Sequence, residues 1–316
     1  MSGSAPLPHL SADRPFLTDG GLETTLIFRR GVDLPHFAAF VLLADEVGRE
    51  HLRAYFAPYL EIARERGAGF VLDTVTWRAN PDWGERLGYS RGALADANRR
   101  AVTLARELGA AHADAGLPIV VDGVIGPRGD GYVPGEQMSA DEAREYHAGQ
   151  AQAFAQSGAD MVSAITMTYP EEAIGIVQAA EEAGLPAAVS FTVETDGRLP
   201  SGQAIDEAIA QVDADTDAAA AYFMINCAYP THFAEALEAG APWLERIGGI
   251  RANASTLSHA QLDEAEELDD GDPADLAARY AALRPRLPAL RVVGGCCGTD
   301  ERHIDAISAA LSRPLA

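Results

Sequence analysis

Eight times along this chain a short apolar run rich in β-branched residues is followed by a longer Ala/Glu/Arg stretch at helical spacing. That alternation is the mark of βα units around a parallel sheet, whose strands are buried on both faces while each covering helix carries one apolar stripe. The expected strands are residues 15–19, 69–74, 118–124, 161–166, 187–193, 221–227, 247–253 and 291–295. The expected helices are 46–66, 91–115, 140–157, 170–183, 205–212, 231–239, 273–287 and 301–312. No break in composition divides them, so the predicted fold is α/β, a single (β/α)8 TIM barrel spanning 1–316, with 1–14 as a loose Ser/Pro-rich leader. A doubly wound open sheet is the competing architecture, but no G-x-G-x-x-G follows an early strand.

In such a barrel the residues at strand C-termini become neighbours, because the βα-loops converge on that face. Asp19-Gly20-Gly21 closes the first expected strand, Asp73-Thr74 the second, Cys227 the sixth, Asn253 the seventh and Cys296-Cys297 the eighth; Gly126-Pro127 follows the third. These are all the cysteines of the chain. Cys296 and Cys297 sit between glycines at a strand end, where packing alone seldom calls for two thiols. Strands six and eight are separated by one strand, so Cys227 can meet the pair across the barrel mouth. Three thiolates with one open corner is the arrangement in which zinc is presented to a substrate, whereas a closed structural site uses four protein ligands. Buried small hydrophobes and a redox dithiol are the competing readings, although the usual dithiol spacing is C-x-x-C.

Charge removes other chemistries. The net charge is −23, from 47 acidic and 24 basic residues, and every basic residue is an arginine. With no lysine there is no internal Schiff base, no lysine-anchored pyridoxal phosphate and no P-loop lysine. An acidic surface argues against nucleic acid, and the apolar runs are too short to cross a bilayer. The acidic stretch 263–275 reads as a solvated face or loop, and a leader with neither a basic start nor an apolar h-region leads to the expectation of the cytosol, where thiols stay reduced.

Soft thiolate ligands without redox cycling point to Zn²⁺. Three thiolates leave the centre with a formal charge of about −1, a poor setting for acidifying water, so hydrolysis is disfavoured. The same centre suits an incoming thiol, which loses its proton on coordination and stays nucleophilic. Zinc deaminases can also use three cysteines, but their H-x-E and P-C-x-x-C signatures are absent.

From Thr18-Asp19-Gly20-Gly21-Leu22-Glu23-Thr24 through Ile225-Asn226-Cys227 to Gly294-Gly295-Cys296-Cys297-Gly298, nearly the whole chain resembles the homocysteine S-methyltransferase family. The resemblance implies that Cys227, Cys296 and Cys297 bind zinc and activate a thiolate, that homocysteine sulfur takes the fourth position, and that Asp19, with Gly20 and Gly21, holds the amino-acid end. It places Asn253 near the open corner. Donors in the family include S-methylmethionine, S-adenosylmethionine, betaine and methylfolate; a sulfonium donor is expected here, giving methionine.

One position departs from the family pattern: where a Glu-Thr pair commonly ends the fourth strand, this chain has Ile165-Thr166. Glu194, after the fifth strand, is the candidate substitute for the missing carboxylate, with Thr166 kept as a substrate contact. The alternatives are therefore a different thiol acceptor or a non-catalytic thiol- or zinc-binding protein. Trp77 and Trp83 are candidates for a cation–π pocket around a sulfonium or quaternary ammonium. His232 is a candidate base and Arg128 a candidate for a substrate carboxylate. The expected partners are a small thiol and a methyl donor, with no nucleic acid or membrane; a homo-oligomer is compatible with this reading.

Overall fold

Eight parallel strands pair in chain order, and the first closes on the last. They are β1 (Phe16–Leu17), β2 (Phe70–Asp73), β3 (Ile119–Ile125), β4 (Met161–Met167), β5 (Ala187–Phe191), β6 (Ala220–Asn226), β7 (Ile247–Ala252) and β8 (Val292–Gly295). The structure is a computed structural model that describes residues 7–113, 116–133, 135–238, 240–265 and 267–312. All eight expected strands are present. Every strand residue is buried except the half-buried Ile119 and Ala221, which is why the strands read as continuous apolar runs.

The helices that follow the strands are α1 (Glu46–Arg66), α2 (Arg91–Ala113), α3 (Ala140–Ser157), α4 (Pro170–Ala183), α5 (Ile205–Asp215), α6 (Pro230–Phe233), α7 (Pro273–Leu283) and α8 (Glu301–Ala310). Three have the bounds read from sequence because their punctuation is explicit. Asp45 caps α1, which ends at Gly67; Ser139 and Glu142 form a capping box on α3, which ends at Gly158; α4 starts on Pro170 and ends at Gly184. Residues 114–115, the expected end of α2, lie outside the described residues.

Three expectations need correction. The helix read over 231–239 is only the turn α6: the chain then folds into a turn and a bend over 234–237 that keep Phe233 and Leu237 on the barrel, and residue 239 lies outside the described residues. The helix over 273–287 stops at Leu283 and tightens to a 3₁₀ turn around Pro285, which has no N–H to continue the ladder. The leader over 1–14 is not loose where it is described. Residues Pro8–Ser11 form a 3₁₀ turn, Leu7 is buried, and the fully buried His9 ring packs 5.8 Å from Phe16 and 5.3 Å from Tyr222 at the N-terminal ends of β1 and β6, closing the barrel floor. Residues 1–6 lie outside the described residues.

Apolar side chains fill the barrel interior, among them Val71, Val124, Met161, Tyr222 and Val292, while a larger cluster sits between the sheet and the helices. The barrel interior is therefore packed below the mouth, and two cavities open at the C-terminal mouth.

Candidate active site

Cys227 leaves the end of β6 with φ +53°, and Thr166 leaves the body of β4 with φ +65°. Each conformation costs a side-chain-bearing residue roughly 1–2 kcal/mol. Both are held by hydrogen bonds: the Cys227 N–H donates to the Arg251 carbonyl at 2.9 Å, and the Thr166 N–H to Asn226 Oδ1 at 3.0 Å. The Cys296 N–H bonds to the Ala252 carbonyl at 2.8 Å, which fixes the vicinal pair beyond β8. The Cys227, Cys296 and Cys297 sulfurs all lie within 4.8 Å of one another. This is the convergence that the strand order predicts.

Polar hydrogens surround the sulfurs. Asn226 Nδ2 points at Cys296 Sγ from 3.9 Å, Asn253 Nδ2 at Cys227 Sγ from 3.7 Å, and the Tyr132 hydroxyl lies 3.0 Å from Cys227 Sγ and 3.7 Å from Cys297 Sγ. The Cys296 thiol is held well below its ordinary range by hydrogen bonds from Cys227 and Cys297, helped by the Arg251 guanidinium. Cys227 and Cys297 are pushed the other way, Cys227 chiefly by its hydrogen bond to Cys296 and Cys297 chiefly by its hydrogen bond with Cys227, then by the one with Cys296. Three soft donors at this separation, with N–H groups able to steady thiolate charge, fit a thiophilic ion such as zinc.

Behind the thiols, Arg251 bridges two carboxylates. Its guanidinium bonds Asp19 Oδ1 at 2.6 Å and also bonds Asp73, while the Tyr55 hydroxyl donates to Asp19 Oδ2 at 3.0 Å. Burial raises the Asp19 pKa to about 7 even against the pull of Arg251. Both oxygens of Asp19 are thus already engaged within the chain. Gly20 and Gly21 serve close approach. A Cβ on Gly20 would meet the Thr299 carbonyl at 2.6 Å, and one on Gly21 the Cys296 carbonyl at 2.7 Å, so these glycines let the first loop press against the cysteine loop.

Two cavities meet at the thiols. The inner one is lined by Cys296, Cys297, Asp19, Thr166, Asn226 and Ile165; the outer one by Cys227, Cys297, Asn253, Phe28, Phe37 and the acidic loop. Glu23, Trp77 and Tyr132 line both. The acidic stretch is accordingly more than a solvated face: Asp263, Glu267 and Asp269 form the outer wall, and Asp269 accepts the Ser255 hydroxyl at 2.5 Å.

Other expected contacts fall elsewhere. Glu194 is half-buried in the turn after β5 and lines neither cavity. Arg128 pairs with Asp82 at 2.9 Å and lies over the Tyr146 ring, while His232 bonds the Thr256 carbonyl at 3.0 Å; neither lines a cavity. Arg78 lies over the rings of Trp77 at 3.9 Å and Trp83 at 4.0 Å, and Arg86 over Trp83 at 4.4 Å. The chain's own arginines thus stack on both indoles, and of the two only Trp77 lines the cavities.

Sequence reading passed over three residues. Arg251 was legible as a charge inside an otherwise apolar strand. Tyr132 and the individual role of Glu23 carried no local signal, since each depends on a loop crossing the mouth.

A closed (β/α)8 barrel thus brings three thiols and two cavities together at its C-terminal mouth. The profile of the family described as homocysteine S-methyltransferase matches residues 16–311, and the chain belongs to that family, within the methyltransferase class. It is 25% identical to homocysteine S-methyltransferase 4 of Zea mays, covering 98% of this chain and 95% of the relative. The match to homocysteine S-methyltransferase 1 of Arabidopsis thaliana, at 24% identity, spans 57% of this chain and about half of the relative (54%). Among solved structures, the metallated form of the homocysteine methyltransferase MmuM from Escherichia coli superposes with a TM-score of 0.72 at 22% identity, over 96% of this chain and 99% of the other, a likeness of fold.

Proposed function

We propose that this protein is a zinc-dependent S-methyltransferase that moves a methyl group from a sulfonium donor, S-methylmethionine or S-adenosylmethionine, to homocysteine, giving methionine. The observation that carries the reading is the convergence of Cys227, Cys296 and Cys297 within 4.8 Å at the mouth of a barrel of this family. When bound there, zinc would supply thiol acidification, keeping the acceptor sulfur a thiolate at neutral pH. The family membership of the chain and the metallated state of the E. coli relative support a metal at this position.

The chain's own residues do the rest. Asn226 and Asn253 steady the sulfurs, and Ile165, Phe56 and Val124 keep the inner cavity apolar around the nucleophile. The outer cavity suits the donor: Asp130, Asp263, Glu267 and Asp269 surround it with negative charge against a single arginine, and Tyr132 offers aromatic surface to a cation. The acceptor sulfur attacks the methyl carbon in line. Its lone pair becomes the new S–C bond, the electrons of the old bond leave with the donor sulfur as a neutral thioether, and no general base is needed. A matrix of thiols against methyl donors, read by mass spectrometry with elemental analysis of the same protein, tests this. Methionine formed from S-methylmethionine by zinc-loaded protein is expected; zinc binding without transfer from any donor would leave a storage protein.

A second reading has one observation behind it. Ile165 lines the inner cavity at 7% exposure, so its wall offers no carboxylate there, and a thiol without an amine is the alternative acceptor.

A further inference from the structure

The carboxylates of the inner cavity are not equivalent. Asp19 gives one oxygen to Arg251 and the other to Tyr55, and Asp73 is paired with the same guanidinium. Glu23 stands apart. It is half-buried two residues beyond Gly20-Gly21, lines both cavities beside Cys297, and among the described residues no side chain bonds or pairs with its carboxylate. Arg78 acts on it only through space, being tied to the Gly129 carbonyl at 2.9 Å and stacked on the indoles. Burial, with Asp19 and Cys296 adding their charge, pushes the Glu23 pKa up to about 7, which is the situation of an anion lacking its cation.

We infer that Glu23 is the acceptor's ammonium-binding residue, the determinant that selects an α-amino thiol. The assignment rests on the proposed transfer reaction. It explains how a cavity with Ile165 in its wall can still read an amine: the carboxylate comes from the first βα-loop, on the opposite side of the thiols from β4. An ammonium placed there gains a charge-assisted hydrogen bond and relieves the cost of the buried anion.

The test compares homocysteine with its des-amino analogue, 4-mercaptobutyrate, in the metal-loaded wild type, in Glu23→Gln, and in Glu23→Gln combined with Ile165→Glu. Each is measured by kcat/KM with S-methylmethionine and by calorimetric binding without donor. The wild type should prefer homocysteine, and Glu23→Gln should shrink that preference by about ten- to a hundredfold. Adding Ile165→Glu should return part of it. An undiminished preference in Glu23→Gln overturns the assignment, as does a wild type indifferent to the amine. A change in the KM for S-methylmethionine with thiol preference intact would give Glu23 to the donor instead and equally overturn it. If no thiol is methylated from any donor, the transfer reading fails by itself, and the calorimetric ratio still decides whether Glu23 reads the amine.

Discussion

Each cysteine has a separate mechanical task, so their losses should look alike in metal content and differ in stability. Cys227 needs a left-handed backbone that Arg251 secures, whereas Cys296 and Cys297 ride on a loop packed against glycines. Single Cys→Ser changes should each lower bound zinc at least tenfold, because a hydroxyl is a poor replacement for a soft thiolate. Elemental analysis after dialysis checks this, and full zinc retention in all three variants would refute the site. Arg251 is the other residue on which the mouth depends. Replacing it with Leu removes the shared cation from Asp19 and Asp73, and breaking a buried pair this way costs about 3–5 kcal/mol. Urea unfolding of Arg251→Leu should show a loss of that size, while an unchanged midpoint would mean the carboxylates find other partners.

At the scale of elements, the cysteine loop owes its placement to the helix behind it. Asp300 caps α8 through the Arg302 N–H and also engages His303 and Arg302, at 2% exposure. Burial alone would raise its pKa, but the hydrogen bonds from His303 and Arg302 hold it below the ordinary carboxylate range. A depressed carboxylate stabilises the fold above its unfolded pKa of about 3.9 and loses that contribution as pH falls below it. Asp300→Ala should therefore destabilise by roughly 2–3 kcal/mol at pH 7, a lost cap plus lost partners, with the gap from wild type narrowing toward pH 3. Chemical denaturation at the two pH values measures it. A gap independent of pH would assign the effect to the cap alone. The acidic loop before α7 belongs to this scale as well. Its composition read as solvated surface, yet Asp270 pairs with Arg29 at 2.6 Å and Arg302 at 2.7 Å, joining that loop to the first and last βα units.

The whole molecule is a barrel packed at its floor and open at its mouth, and His9 marks the packed end. Burial lowers its pKa to about 4, and among the described residues neither ring nitrogen has a partner. Between pH 4 and the ordinary 6.5 the unfolded chain takes up a proton that the folded chain refuses, so stability should fall as pH drops through that window. Wild type should lose roughly 1–2 kcal/mol relative to His9→Leu on going from pH 7 to pH 5, read from urea midpoints at both values. Equal differences at the two pH values would place a charged or solvated imidazole in the floor. The sequence by itself showed the eight βα units and the three thiols at strand ends six and eight, because burial on both faces writes continuous apolar runs, and eight alternations with no dinucleotide fingerprint favour a closed ring over an open sheet. It also exposed the missing carboxylate at Ile165. What only the tertiary structure decided is how loops from opposite sides of the ring meet over the mouth: Tyr132 reaching Cys227, Arg251 claiming Asp19, the arginines covering Trp77 and Trp83, and Glu23 left without a side-chain partner among the described residues. Those contacts join residues far apart in the chain and obey no local period, so spacing cannot encode them; they exist only once the closed ring sets the distances between its loops.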